Sequence, residues 1–118
     1  MRSNLIVDKT YQFSQRIIKA NQFLIKKKEY VISKQLLKSG TSIGANITEA
    51  IYAQSKKDFL HKMNIALKEA GETEYWINQI IDSGLFGDHW GTLKEDCLHI
   101  KRIIHSIVKT TKNNLNHS

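Results

Sequence analysis

Apolar residues recur every three or four positions through most of this chain, and that spacing predicts four helices. Phe13, Ile17, Ala20 and Leu24 are spaced 4, 3 and 4, which places them on one helical stripe. Ile18 and Ile25 widen the stripe, while Arg16, Lys19, Lys26 and Lys27 lie off it. Asp8 suits an N-cap, with Asn4 as an alternative start. A first helix over 8–28 follows, about 30 Å long at 1.5 Å per residue.

In the second segment Leu36, Gly40, Ile43, Ile47 and Ala50 repeat with spacing 4, 3, 4 and 3, and Leu37, Gly44 and Ile51 form an adjacent stripe. Read locally, the stretch SGTSIG looks like a turn, because Gly, Ser and Thr each weaken a helix. The heptad register runs straight through it, so one continuous helix over 31–53 is predicted. Gly40, Gly44 and Ala45 would let a neighbouring helix approach closely.

Ser55 to Asp58 reads as a capping box that opens a third helix, over 56–82. Its stripe is Phe59, Met63, Ala66, Ala70, Ile77 and Ile80 or Ile81, extended sideways by Leu67 and Trp76. Gly71 should cost roughly 1 kcal/mol against alanine, and is expected to mark a close contact. Gly84 suits a C-cap. In the loop over 83–91, Leu85, Phe86 and Trp90 are expected to fold back over the bundle end. The fourth helix, over 89–110, carries Leu93, Cys97, Ile100, Ile104 and Ile107, with Thr92 to Glu95 as a second capping box. The polar tail beyond Thr110 is expected to fray.

Four helices of this length with short joins predict an all-α fold: an antiparallel up-down-up-down four-helix bundle, one domain over 1–118. The second stripes on the first two helices carry more apolar surface than one small core needs. They predict homo-oligomerisation.

Composition adds three points. Proline is absent, which leaves long helices unbroken. The single cysteine, Cys97, excludes an intrachain disulfide and fits a reducing compartment. The net charge is +7, and it is unevenly placed: residues 1–57 hold eleven Lys or Arg against three acids, whereas residues 58–118 hold seven against eight. A basic face of this kind favours anionic partners. No apolar run reaches the roughly 18–20 residues needed to span a bilayer, and the N-terminus lacks a signal-peptide core. A cytoplasmic protein without membrane contact is expected.

Candidate chemistry is sparse. His61, His89, His99, His105 and His117 show no metal-ligand spacing, and no HExxH occurs. Glu-x-x-His pairs of the di-iron type are absent as well. Cys97 falls on an apolar stripe, where cysteine acts as a small hydrophobe. Ser39, Thr41, Ser42 and Thr48 lack a GxSxG elbow and read as helix-packing residues. SGTSIG matches neither phosphate-loop pattern. Glu49, Lys68, Glu69, Glu72 and Glu74 read as bundle-edge ion pairs; a turn at 54–55 brings residues 46–50 towards 59–63, so Glu49 should not reach Lys68 within one subunit. No catalytic residue, metal or cofactor is predicted, and the chain does not read as an enzyme.

The remaining candidates are basic. Arg16, Lys19, Lys26, Lys27, Lys28, Lys34, Lys38, Lys56 and Lys57 could contact phosphates, conferring affinity without sequence choice. The 54–55 turn lies at the opposite bundle end from Lys26–Lys28, so the basic residues should occupy both ends and the face of the first hairpin.

Three segments carry a resemblance: SxTSIGANITEA at 39–50, KKDFLHKMNIALKEAGETEYW at 56–76 and LxxxCxxIxxI at 93–103. Over residues 9–112 the chain resembles the proteins encoded by intervening sequences within bacterial 23S ribosomal RNA genes, the S23-type family. The resemblance implies a left-handed four-helix bundle that assembles as a homopentamer. It also implies kinship with the accessory proteins of diversity-generating retroelements, whose basic pentamers engage nucleic acid and a reverse transcriptase. It brings no catalytic residues. The expected function is a non-enzymatic oligomer that binds RNA or DNA backbone, with ribosomal RNA as one expected target. The alternative is an assembly or adaptor module for a protein partner.

Overall fold

The register carries into the structure as four helices: α1 (Arg2–Lys26), α2 (Val31–Ile51), α3 (Lys56–Ser83) and α4 (Gly91–Asn116). The computed structural model describes residues 2–116. Each helix packs antiparallel on the next, and α1 and α4 close the ring, giving a four-helix bundle 51 × 23 × 21 Å across. Its core is one cluster, in which the stripe residues Phe13, Ile17, Leu24, Leu36, Ile43, Ile47, Met63, Ile77, Ile80, Cys97 and Ile104 are all buried.

α2 is unbroken through SGTSIG. The hydroxyls of Thr41 and Ser42 donate back to the carbonyls of Leu37 and Lys38, both at 2.6 Å, so these polar side chains are satisfied within the helix. The glycines face α1. A Cβ on Gly40 would lie 2.7–2.8 Å from three carbons of Ile17, and one on Gly44 would lie 3.2 Å from the Thr10 carbonyl oxygen. Close approach of α1 is what both positions require, whereas Ala45 is exposed.

Both end helices run further than their patterns predict. α1 begins at Arg2 rather than Asp8, because the stripe continues through Thr10 to Ile6, both buried. The Thr10 hydroxyl donates to the Ile6 carbonyl at 2.8 Å, so a polar residue occupies a core position without an unmet hydrogen bond. α4 continues through the polar tail to Asn116 instead of fraying at Thr110, with Val108 buried and the Thr111 hydroxyl bonded to the Ile107 carbonyl at 2.8 Å. Gly71 also departs from expectation: a Cβ there would meet nothing within 4 Å, so it marks no close contact.

The caps are mixed. Ser55 accepts from the Asp58 N–H at 3.1 Å, as a capping box requires, but the Asp58 carboxylate reaches the Gln54 N–H instead of that of Ser55. Gly84 caps α3 with φ +67°. Thr92 caps nothing: α4 starts one residue earlier, at Gly91, and the Thr92 hydroxyl accepts from Arg16 at 3.0 Å. In the preceding loop Phe86 and Trp90 cover the core, and the Trp90 Nε1–H donates to the Phe86 carbonyl at 3.0 Å; Leu85 points away and is exposed.

α1 ends in a Schellman turn. The Glu29 N–H reaches the Leu24 carbonyl at 2.9 Å and the Lys28 N–H reaches that of Ile25 at 2.8 Å. Lys28 takes the left-handed position with φ +62°, a place usually held by glycine. The Glu29 carboxylate then accepts from the Ile32 N–H at 2.6 Å, placing a negative charge at the positive end of α2.

Candidate nucleic-acid interface

The heptad register gives α1 two unlike flanks. Val7, Tyr11, Ser14, Ile18, Asn21 and Ile25 lie on the side of α2, and none is charged. Asn21 is buried and donates to the Ser33 carbonyl at 3.0 Å. Lys9, Gln12, Arg16, Lys19, Phe23 and Lys26 lie on the side of α4, and four of the six are basic.

Only some of the nine basic candidates come together. Lys26, Lys27 and Lys28 are exposed at the Schellman turn, with Lys19 two turns below Lys26 and Lys34 in the first turns of α2 at the same bundle end. Lys27 Nζ stands 5.6 Å from the centre of the Phe23 ring. Lys56 and Lys57 are exposed in the first turn of α3, at the far end. Their charge opposes the helix dipole there. Lys38 is exposed on α2, where its charge acts on Glu69. Arg16 is engaged inside the protein: its guanidinium pairs with Asp96 and donates to Thr92, bridging α1 to α4.

That bridge divides the α1–α4 groove into two hollows. One, of about 120 Å³, is lined by Lys9, Gln12, Phe13, Arg16, Asp96, His99 and Ile100. The other, of about 200 Å³, lies towards the lysine cluster and is lined by Arg16, Lys19, Ala20, Phe23, His89, Trp90 and Leu93. His89 is the residue a reading by spacing passes over. It is exposed, yet its ring is held 4.8 Å from Phe23 and 5.3 Å from Trp90. The signal available in the sequence was an aromatic pair, His89-Trp90, in the longest loop.

The glutamates of α2 and α3 act elsewhere. Glu49 pairs with Lys62 at 2.9 Å, as the 54–55 turn predicts, and Glu74 with Lys101 at 2.8 Å. Burial holds the Glu69 carboxyl above the ordinary glutamate range, and the neighbouring Glu72 adds to the rise; Ser42 and Lys38 oppose it. Burial, then the charge of Glu74, pushes the Cys97 thiol up to about 12, so it is protonated at neutral pH and packs as a core residue. Of the other histidines, His61 and His105 are exposed on separate helices, His99 lines the smaller hollow, and His117 lies outside the described residues.

The fold is thus that of a small antiparallel four-helix bundle, with a lysine cluster at one end and shallow hollows beside it. Residues 2–106 match the 23S rRNA-intervening sequence proteins, and this chain belongs to that family. A crystal structure at 1.70 Å of a protein of unknown function from the S23 ribosomal protein family of Bacteroides thetaiotaomicron is similar, at 45% identity and a TM-score of 0.87, over 92% of this chain and 99% of that one. No curated protein matches.

Proposed function

We propose that this chain is a non-enzymatic, oligomeric protein that binds nucleic-acid backbone through the basic end of its first hairpin. One observation carries the reading. Lys19, Lys26, Lys27, Lys28 and Lys34 gather at one bundle end, and none takes part in an ion pair among the described residues. Uncompensated lysines in a cluster form a phosphate-binding surface whose affinity comes from counterion release. Ribosomal RNA is the target that the family name suggests. Lys56 and Lys57 would meet a second stretch of backbone only in an assembly, since they lie at the other end.

The apolar flank supports such an assembly. Tyr11, Ile18 and Ile25 recur every seven residues and are 66%, 41% and 39% exposed. Beside them a shallow depression of about 300 Å³ is lined by Val7, Tyr11, Ser14, Gly44, Ala45 and Thr48. Contact between copies on this flank leaves the basic end free; a pentamer is the assembly implied by the resemblance. Among the described residues no helix is long and apolar enough to cross a membrane, and a cytoplasmic site of action belongs to the same reading.

The test is binding of nuclease-treated protein to structured RNA and duplex DNA across a salt series, with the mass in solution measured alongside. Affinity should fall steeply with salt, and Lys26→Glu/Lys27→Glu/Lys28→Glu should abolish it while the assembly stays intact. Unchanged affinity in that folded variant removes the lysine cluster from the interface. A salt-insensitive, stoichiometric protein complex without nucleic acid would favour the adaptor reading.

A further inference from the structure

The larger hollow of the α1–α4 groove combines features that backbone binding alone does not need. Phosphate contact requires cations. Here the cations surround aromatic rings: Lys19 lines the hollow with Phe23, His89 and Trp90, and Lys27 stands over Phe23. The rings are set in fixed relation. Phe23 meets His89 edge-on at 77° and Trp90 at 73°, while His89 and Trp90 are tilted by 32°.

Trp90 is buried and pinned by its hydrogen bond to the Phe86 carbonyl, so it is a foundation rather than a contact surface. His89 is the exposed member. The loop backbone also comes near it: a Cβ on Gly87, at φ +87°, would lie 3.1 Å from His89 Nδ1. An exposed aromatic ring costs little to recruit when its position is already set.

We propose that this hollow takes one unpaired nucleotide of the bound strand. The base stacks on the His89 ring, and the flanking phosphates lie on Lys19, Lys26 and Lys27. At about 200 Å³ the hollow is smaller than the roughly 300 Å³ typical of the smallest ligand pockets, which suits one planar base with its sugar and phosphate outside. Base faces in a duplex are covered by their neighbours, so only an unpaired base can enter. This inference rests on the nucleic-acid reading and narrows it to single strands, loops and bulges.

Fluorescence anisotropy at fixed salt tests it, using an oligonucleotide as a single strand and as its duplex, in RNA and DNA versions to separate the two sources. The proteins are the wild-type chain, His89→Ala, His89→Phe and Lys26→Glu/Lys27→Glu/Lys28→Glu, each checked for helicity by circular dichroism. The wild type should prefer a single strand of at least one kind. His89→Ala should weaken that binding about tenfold, in line with the loss of one base–aromatic stack, and leave duplex binding unchanged. His89→Phe should restore it. If His89→Ala binds the single strand as well as the wild type while the triple lysine variant does not, the hollow is not a base site and the backbone reading stands. If the wild type binds neither strand nor duplex, both fall.

Discussion

The two flanks of α1 are built from the same helix and do opposite work. Towards α2 the flank is uncharged, and the α2 backbone lies against the Ile17 side chain at Gly40 and against the α1 backbone at Gly44. Towards α4 it is basic, hollow on both sides of Arg16, and spanned by an ion pair between half-exposed side chains. Close packing stabilises through buried area and dispersion, which tolerate no gap. A half-exposed ion pair contributes little stability and leaves its surroundings open to solvent. The bundle therefore packs α1 tightly on the α2 side, where the outer surface is apolar and suits another copy of the chain, and keeps its basic, open surface on the α4 side.

The largest expected effect lies on the packed flank. Gly40→Ala drives a methyl into Ile17, a β-branched, fully buried side chain, and should cost about 1–3 kcal/mol in urea unfolding. Partial recovery in the double variant with Ile17→Val would tie the loss to that contact; a neutral Gly40→Ala would break the contrast between the flanks. Gly71 is the control, a helical glycine with empty space around it. Gly71→Ala should raise stability by roughly 1 kcal/mol in the same assay, so two glycine-to-alanine changes in neighbouring helices should have opposite signs.

On the open flank the expected stability effect is smaller. Asp96→Ala should cost less than about 1 kcal/mol, because the pair with Arg16 is half exposed. It should also strengthen nucleic-acid binding, since it removes a negative charge and frees a guanidinium beside the lysines. A stability loss as large as that of Gly40→Ala would show that the ion pair, and not packing, holds α1 in place.

The smallest effect concerns the α2–α3 edge. The folded state holds the Glu69 proton above the ordinary value of 4.5, so it binds more proton there than the unfolded chain does. Stability from this group is complete below the unfolded value and declines as pH rises through the raised one. Glu72→Gln removes the neighbouring negative charge and should flatten that decline in melting temperature, measured from about pH 4 upward. An unchanged slope would leave burial as the whole cause.

Periodicity made the four helices legible, including the unbroken course of α2, because the register there outweighed local propensity. It failed where polar residues sit in or extend a stripe. Thr10 hid the first turns of α1 by bonding to its own backbone, and a run of polar side chains masked the last turns of α4. Gly71 was misread because a glycine signals a close neighbour only when a neighbour exists. The lysine cluster could be read from charge counts. The engagement of Arg16 and the placing of His89 could not, since Arg16 and Asp96 lie 80 residues apart in sequence and only the closed ring brings the groove together.

That closure also sets a sequence of events in time. The joins between helices are four, four and seven residues long, so each helix finds the next through a short loop, and α1–α4 alone joins the two ends of the chain. Short-range topology of this kind folds fast, and the entropy of a long loop enters only at the last closure. Contacts of the α1–α2 hairpin should then be formed in the transition state, and the Arg16–Asp96 bridge after it. Gly40→Ala is expected to slow refolding, whereas Asp96→Ala speeds unfolding and leaves the refolding rate alone.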